Sequence, residues 1–111
     1  MYGRNINFTL LAPSLWAVVQ AIGSNVEEEK YKRMLFKTGD NNGFIIEVFE
    51  NIHIAGKKIE TMKAMQGLSE QAMAKVSIQC LYLEQSSYEA KSRLWVQLDR
   101  NILISDFLYH Q

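Results

Sequence analysis

The stretch Gly39-Asp40-Asn41-Asn42-Gly43 is the clearest turn in the chain, because its three residue types tolerate positive φ. The residues before it end in a strand-like run. The residues after it are rich in β-branched and aromatic side chains, which are enriched in strands. We therefore predict an antiparallel hairpin with strands at 31–38 and 43–50, which places a sheet in the middle of the chain.

Two other segments have helical patterns. Residues 13–22 begin with Pro13, which a first helical turn tolerates, and Gly23 fits just past their end. In the second region, residues 60–74, we expect Gly67 to end one helix and Ser69 to cap another. Residues 5–11 alternate well enough for a short strand, and a further turn is predicted at residues 55–57.

The part of the chain after residue 75 allows two interpretations. Positions 76, 78, 80 and 82 alternate with polar residues as in a strand, yet apolar residues of this region also fall on a helical stripe. The composition favours strands. We therefore predict a single α+β domain over residues 1–111, in which helical regions near 13–22 and 60–74 pack on an antiparallel sheet. An all-α chain is the competing fold.

Charge and cysteine content restrict the class of protein. Twelve basic and twelve acidic side chains balance to a net charge of zero, and no segment has the surplus of Lys and Arg typical of nucleic-acid binding. Cys80 is the sole cysteine, so no intrachain disulfide can form, and we expect a buried thiol in a cytoplasmic protein. The apolar run Leu10–Ile22 is too short to span a bilayer, so no membrane partner is expected.

No motif for catalysis, metal or cofactor binding is found. His53 and His110 lie far apart, and with one cysteine they do not make the set of about four ligands that structural zinc needs. Gly56-Lys57 lacks the upstream glycine and the following Ser or Thr of a phosphate-binding loop. We therefore expect a protein that is not an enzyme, with no catalytic residue, no metal and no cofactor.

One local pattern indicates a different function. Residues 56–74 contain Gly67-Leu68-Ser69 followed by Met73-Ala74, and this stretch is similar to the opening of phage-repressor-type helix-turn-helix domains. The family's second turn has no counterpart at Lys75-Val76-Ser77. The resemblance implies a small DNA-binding transcriptional regulator that uses residues 56–85. Because the net charge is zero, this is the alternative rather than the first hypothesis.

Aromatic residues of the last third supply the first hypothesis. Tryptophan and tyrosine dominate the energetics of protein interfaces, and an apolar tail must pack against its own domain or another chain. We therefore predict a non-enzymatic protein-binding module, such as an adaptor, chaperone, immunity factor or inhibitor, which is also expected to form a homodimer. The predicted partner-binding residues are Tyr82, Tyr88, Trp95, Phe107 and Tyr109.

Overall fold

The computed structural model describes residues 1–82, and for residues 81 and 82 it describes the backbone alone. The elements follow the order β1 (Tyr2–Leu10), a 3₁₀ turn (Pro13–Leu15), α1 (Trp16–Gly23), β2 (Val26–Glu27), β3 (Tyr31–Lys37), β4 (Asn42–Phe49), α2 (Ile52–Lys57), α3 (Glu60–Glu70) and β5 (Ala74–Tyr82).

The strands form one five-stranded sheet in the order β2-β3-β4-β1-β5, and every neighbouring pair is antiparallel. Without the two-residue β2, this is the βαββαβ arrangement of ferredoxin-like folds. The predicted α+β class is confirmed, and the all-α competitor is wrong. The prediction of one domain over residues 1–111 extends past the described residues and stays a prediction.

The predicted hairpin is confirmed, although the reason given for its turn is wrong. Strands β3 and β4 pair from Tyr31↔Phe49 to Lys37↔Gly43. Among the described residues the one positive φ belongs to Ala72, so no residue of this turn is left-handed. The Asn42 carbonyl instead accepts hydrogen bonds from the amides of Thr38 at 2.9 Å and Gly39 at 3.2 Å.

Alternation along the strands divides the sheet into two faces. On the helix-side face, β1 presents Arg4, Ile6, Phe8 and Leu10, all buried. Ile6 and Ile45 there pack with Val19 of α1 and Met65 of α3, and all four have no exposed surface. Burying each such side chain contributes about 1.5–3 kcal/mol. We call the opposite surface, to which β1 contributes Gly3, Asn5, Asn7 and Thr9, the far face.

The helix ends differ from those predicted. Gly67 and Ser69 both lie inside α3, which continues to Glu70. The Ala72 amide donates to the Ser69 carbonyl at 3.0 Å, and the Met73 amide donates to the Leu68 carbonyl at 2.9 Å. With Ala72 at φ 58° this is a Schellman motif, which usually holds glycine at that position.

Residues 55–57, predicted as a turn, instead belong to α2. The Asn51 side chain accepts a hydrogen bond from the Ile54 amide at 3.1 Å and so caps this helix. Among the helices of residues 1–82, none is both long and apolar enough to cross a bilayer.

Candidate functional site

A cavity of about 500 Å³ lies against the strands β1, β4 and β5. Its volume is within the range of ordinary small-molecule sites. Most of the side chains that line it are polar and uncharged, and the remainder are apolar residues and one lysine. The lining consists of Asn5, Asn7, Phe8, Thr9, Thr38, Asn42, Gly43, Phe44, Lys75, Val76 and Ser77.

The alternation of β1 explains why this wall is polar. Ile6, Phe8 and Leu10 enter the core, so the residues between them must point the other way. Asn7 and Thr9 are exposed on that far face. Strand β1 is central in the sheet, and both of its neighbours therefore add side chains to the same wall.

The register specifies these neighbours. Asn7 stands opposite Phe44 of β4 on one side and Ser77 of β5 on the other. Thr9 stands opposite Asn42 and Lys75 in the same way. Cross-strand partners on one face have Cβ atoms about 5 Å apart, so one small molecule can contact all three strands.

The chemistry of the lining is that of a hydrogen-bonding site. Three asparagines, two threonines and one serine each offer both donors and acceptors. Lys75 is the single charged side chain of the lining, and no carboxylate accompanies it. Among the described residues, Asn5 Oδ1 is buried and has no hydrogen-bond partner. Asn41 Oδ1 shares that property but does not line the cavity.

An aromatic ring completes the wall. Phe44 is 7% exposed and stacks on Phe36, with ring centroids 4.7 Å apart and planes inclined by 23°. Phe36 therefore fixes the orientation of the Phe44 ring. A flat apolar surface beside several amides and hydroxyls is the usual composition of a small-molecule site.

A second polar group lies on the helix-side face, where Arg4 and Glu47 are buried and Arg33 is partly exposed. Arg4, Glu47 and Arg33 stand side by side on β1, β4 and β3, and we call them the charged row. Arg4 Nε donates to Glu47 Oε1 at 2.8 Å, and the Tyr31 hydroxyl donates to Glu47 Oε2 at 2.6 Å. Burial, and then the hydrogen bond to Glu47, raises the pKa of Tyr31.

The charged row attaches the helices to the sheet. Arg4 Nη2 donates to the Lys58 carbonyl between α2 and α3. Arg33 donates from Nη1 to Thr61 Oγ1 and from Nε to the Ser24 carbonyl, both at 2.7 Å. All three residues of this row hydrogen-bond to other parts of the protein, and none of them lines the cavity. We therefore assign it a structural role.

Cys80 is exposed, so the expectation of a buried thiol is wrong. Its position on β5, an edge strand among the described strands, accounts for the exposure. A hydrogen bond with Cys80, and secondarily burial, raises the pKa of Tyr2.

No cluster of three or more His, Cys, Asp or Glu side chains suited to a metal ion occurs in residues 1–82.

The predicted partner-binding residues are not brought together by any described element. Tyr88, Trp95, Phe107 and Tyr109 lie outside the described residues, and Tyr82 is described by its backbone alone, at the end of β5.

Sequence reasoning missed the cavity. The sequence signal for it is the alternation Asn5-Ile6-Asn7-Phe8-Thr9, which places polar side chains on one face of β1 and apolar side chains on the other.

The helix-turn-helix alternative for residues 56–85 is wrong. In place of a second helix after Gly67-Leu68-Ser69, α3 continues to Glu70 and residues Ala74–Tyr82 form the strand β5. A strand paired along its whole length with β1 provides no recognition helix.

No protein-family model and no curated protein matches the chain. It is similar to a crystal structure of a mutant of SnoaB, a cofactor-independent oxygenase from Streptomyces nogalater. The TM-score is 0.48 and the identity 16%, with 78% of this chain and 96% of that chain covered. A second crystal structure of SnoaB has a TM-score of 0.47 at the same identity and coverage.

These similar structures are of an enzyme, whereas the sequence led us to expect a non-enzymatic protein-binding module. That expectation is corrected on this finding and is not carried further. The similarity transfers neither a reaction nor a site to this chain.

Proposed function

We propose that the protein binds a small organic molecule in the far-face cavity. The observation that carries the proposal is the lining itself, in which amides, hydroxyls, one cation and the aromatic residues Phe8 and Phe44 line about 500 Å³. A few convergent polar groups beside an apolar wall give a ligand both orientation and specificity.

We place the protein in the cytoplasm, because its single cysteine can form no intrachain disulfide.

The proposal concerns binding first. Of the residue types that carry out acid–base catalysis, the cavity lining contains Lys75 but no His, Cys, Asp, Glu or Tyr. Affinity therefore depends on hydrogen bonds, ring contact and the charge of Lys75. A reaction of the bound molecule is a separate question with its own readout.

A fragment screen by thermal shift tests the proposal. A ligand that binds the folded protein alone stabilises it by about 2.7 kcal/mol at a concentration of 100 Kd. The cavity variant combines Asn7→Leu with Ser77→Leu, which removes two adjacent polar side chains from the wall. Both residues are exposed, so we expect the variant to fold. The matched control is Gln66→Leu, at an exposed position of α3.

We expect fragments that raise the melting temperature of the wild type and of Gln66→Leu, but not of the cavity variant. Equal stabilisation of all three proteins, or no stabilising fragment at all, would contradict the proposal. Mass spectrometry of the recovered fragment separates binding from turnover, since a changed mass identifies an enzyme.

A further inference from the structure

We infer that the ligand of the far-face cavity is a small organic anion that also carries a hydroxyl group. This inference rests on the proposed function and adds the chemical class of the ligand. Three features of the lining carry it: the charge of Lys75, the unpaired oxygen of Asn5 and the ring of Phe44.

The charge of the lining is the first feature. At neutral pH the lining has a net charge of +1, because Lys75 is its single ionised side chain. Among the ion pairs described for residues 1–82, Lys32 and Lys58 each have a glutamate partner, whereas Lys75 has no carboxylate partner. An anionic group of the ligand therefore finds a cation with no internal carboxylate to displace.

The second feature is an unused acceptor. Asn5 Oδ1 is buried without a donor among the described residues, and a buried oxygen that lacks a donor destabilises the protein. A ligand hydroxyl could supply the missing donor, which a carboxylate cannot. Lys75 stands opposite Thr9 and Asn5 opposite Gln79, which is four positions and about 13 Å along the strand direction. A ligand that reaches both side chains therefore carries its hydroxyl and its anionic group at opposite ends.

The third feature, the Phe44 ring, favours a ligand that contains a flat ring. The Phe44 ring is held by stacking on Phe36 and lies opposite Asn7 across the β1–β4 pair. A flat ring in the ligand would contact Phe44 while its substituents reach the polar side chains. 4-Hydroxybenzoate has this combination of ring, hydroxyl and carboxylate, with the two polar groups at opposite ends of the ring, and serves as the probe.

Titration calorimetry with three probes at low salt tests the inference. 4-Hydroxybenzamide replaces the charge of 4-hydroxybenzoate by a neutral amide, and benzoate removes the hydroxyl. We expect 4-hydroxybenzoate to bind roughly three- to fivefold more tightly than 4-hydroxybenzamide, the ratio typical of an ion pair at an exposed lysine. In Lys75→Met this ratio should fall to about one, whereas Lys63→Met, at an exposed site on α3, should retain it.

The hydroxyl is tested separately. We expect benzoate to bind several-fold more weakly than 4-hydroxybenzoate, and Asn5→Ala to remove that difference. Equal binding of 4-hydroxybenzoate and 4-hydroxybenzamide, or a ratio that Lys75→Met leaves unchanged, overturns the inference. So does failure of all three probes to bind. The proposed function survives each of these results if neutral fragments still distinguish the wild type from the cavity variant.

Discussion

Arg4 and Glu47 form an ion pair on neighbouring strands, with Nε and Oε1 2.8 Å apart and side chains 4% and 0% exposed. Two charges in this position stabilise the fold only while both are present. Removing one leaves the other desolvated and unpaired.

We therefore predict that Arg4→Met lowers the free energy of unfolding by about 3–5 kcal/mol. The double variant Arg4→Met/Glu47→Met should lose less than the sum of the two single variants, because it leaves no orphan charge. Urea denaturation of the four proteins measures the coupling. Additive losses would mean that the pair makes no specific contribution.

The raised pKa of Tyr31 predicts how the free energy of unfolding depends on pH in the alkaline range. Its pKa is raised above the ordinary 10.0, first by burial and then by the hydrogen bond to Glu47. Above about pH 10 the unfolded chain releases this proton while the folded chain keeps it, so stability falls as the pH rises. Urea unfolding between about pH 9 and about pH 11 should show a shallower fall in Tyr31→Phe.

The pKa of Tyr2 is also raised, so part of the alkaline dependence should remain in Tyr31→Phe. At neutral pH this variant should already be less stable by about 1.5–3 kcal/mol, because it loses a hydrogen bond to a charged group. Identical pH profiles of the two proteins would refute the assignment to Tyr31.

Gly43 is the site where a single methyl group should cost most. A Cβ atom there would come within 2.8 Å of Phe8 Cζ and Trp16 Cη2, and within 2.5 Å of the Phe36 carbonyl oxygen. We predict that Gly43→Ala destabilises the protein by about 1–3 kcal/mol. Gly39→Ala is the matched control, since its Cβ would make only an ordinary contact at 3.6 Å with Asn42. Thermal unfolding distinguishes them.

Gly67 lies inside α3 with nothing within 4 Å of an added Cβ. Glycine in a helix is about 1 kcal/mol less favourable than alanine. Gly67→Ala should therefore raise the free energy of unfolding by about that amount. A loss of stability on urea denaturation would mean that α3 needs a flexible residue there.

At Ala72 the reverse substitution, alanine to glycine, should be the stabilising one. An L-residue in the left-handed region costs about 1–2 kcal/mol, and Ala72 has φ 58°. Glycine avoids this strain but loses more backbone entropy on folding, which offsets part of the gain. Ala72→Gly should therefore stabilise the protein by about 0.5–1 kcal/mol. Thermal unfolding beside Gly67→Ala checks this result, and a lower melting temperature would argue against the Schellman motif.

These two residues also explain what could be predicted from the sequence. The helix at 60–70 was recognisable from its apolar spacing, but its end was placed at Gly67 because glycine favours helix ends. The observed end uses an alanine, which tertiary structure holds in a conformation that its type disfavours. The hairpin, by contrast, was predicted correctly because composition and turn residues agree there.

The cavity could not be predicted in the same way. Its wall joins β1 to residues of β4 and β5 that are up to about 70 positions away, and only the register places them together. From the sequence alone, the pattern of Asn5, Asn7 and Thr9 is typical of the solvent-exposed face of any strand. The strand order, which puts β1 between β4 and β5, makes them a common surface.

The position of β5 has a thermodynamic consequence. It is the last described strand, yet it supplies Lys75 and Ser77 to the same cavity as β1 and β4. A molecule held there bridges the first and last described strands, so occupancy and attachment of β5 are linked equilibria. Ligand would then slow amide hydrogen exchange along β5, and loosening of β5 would release the ligand.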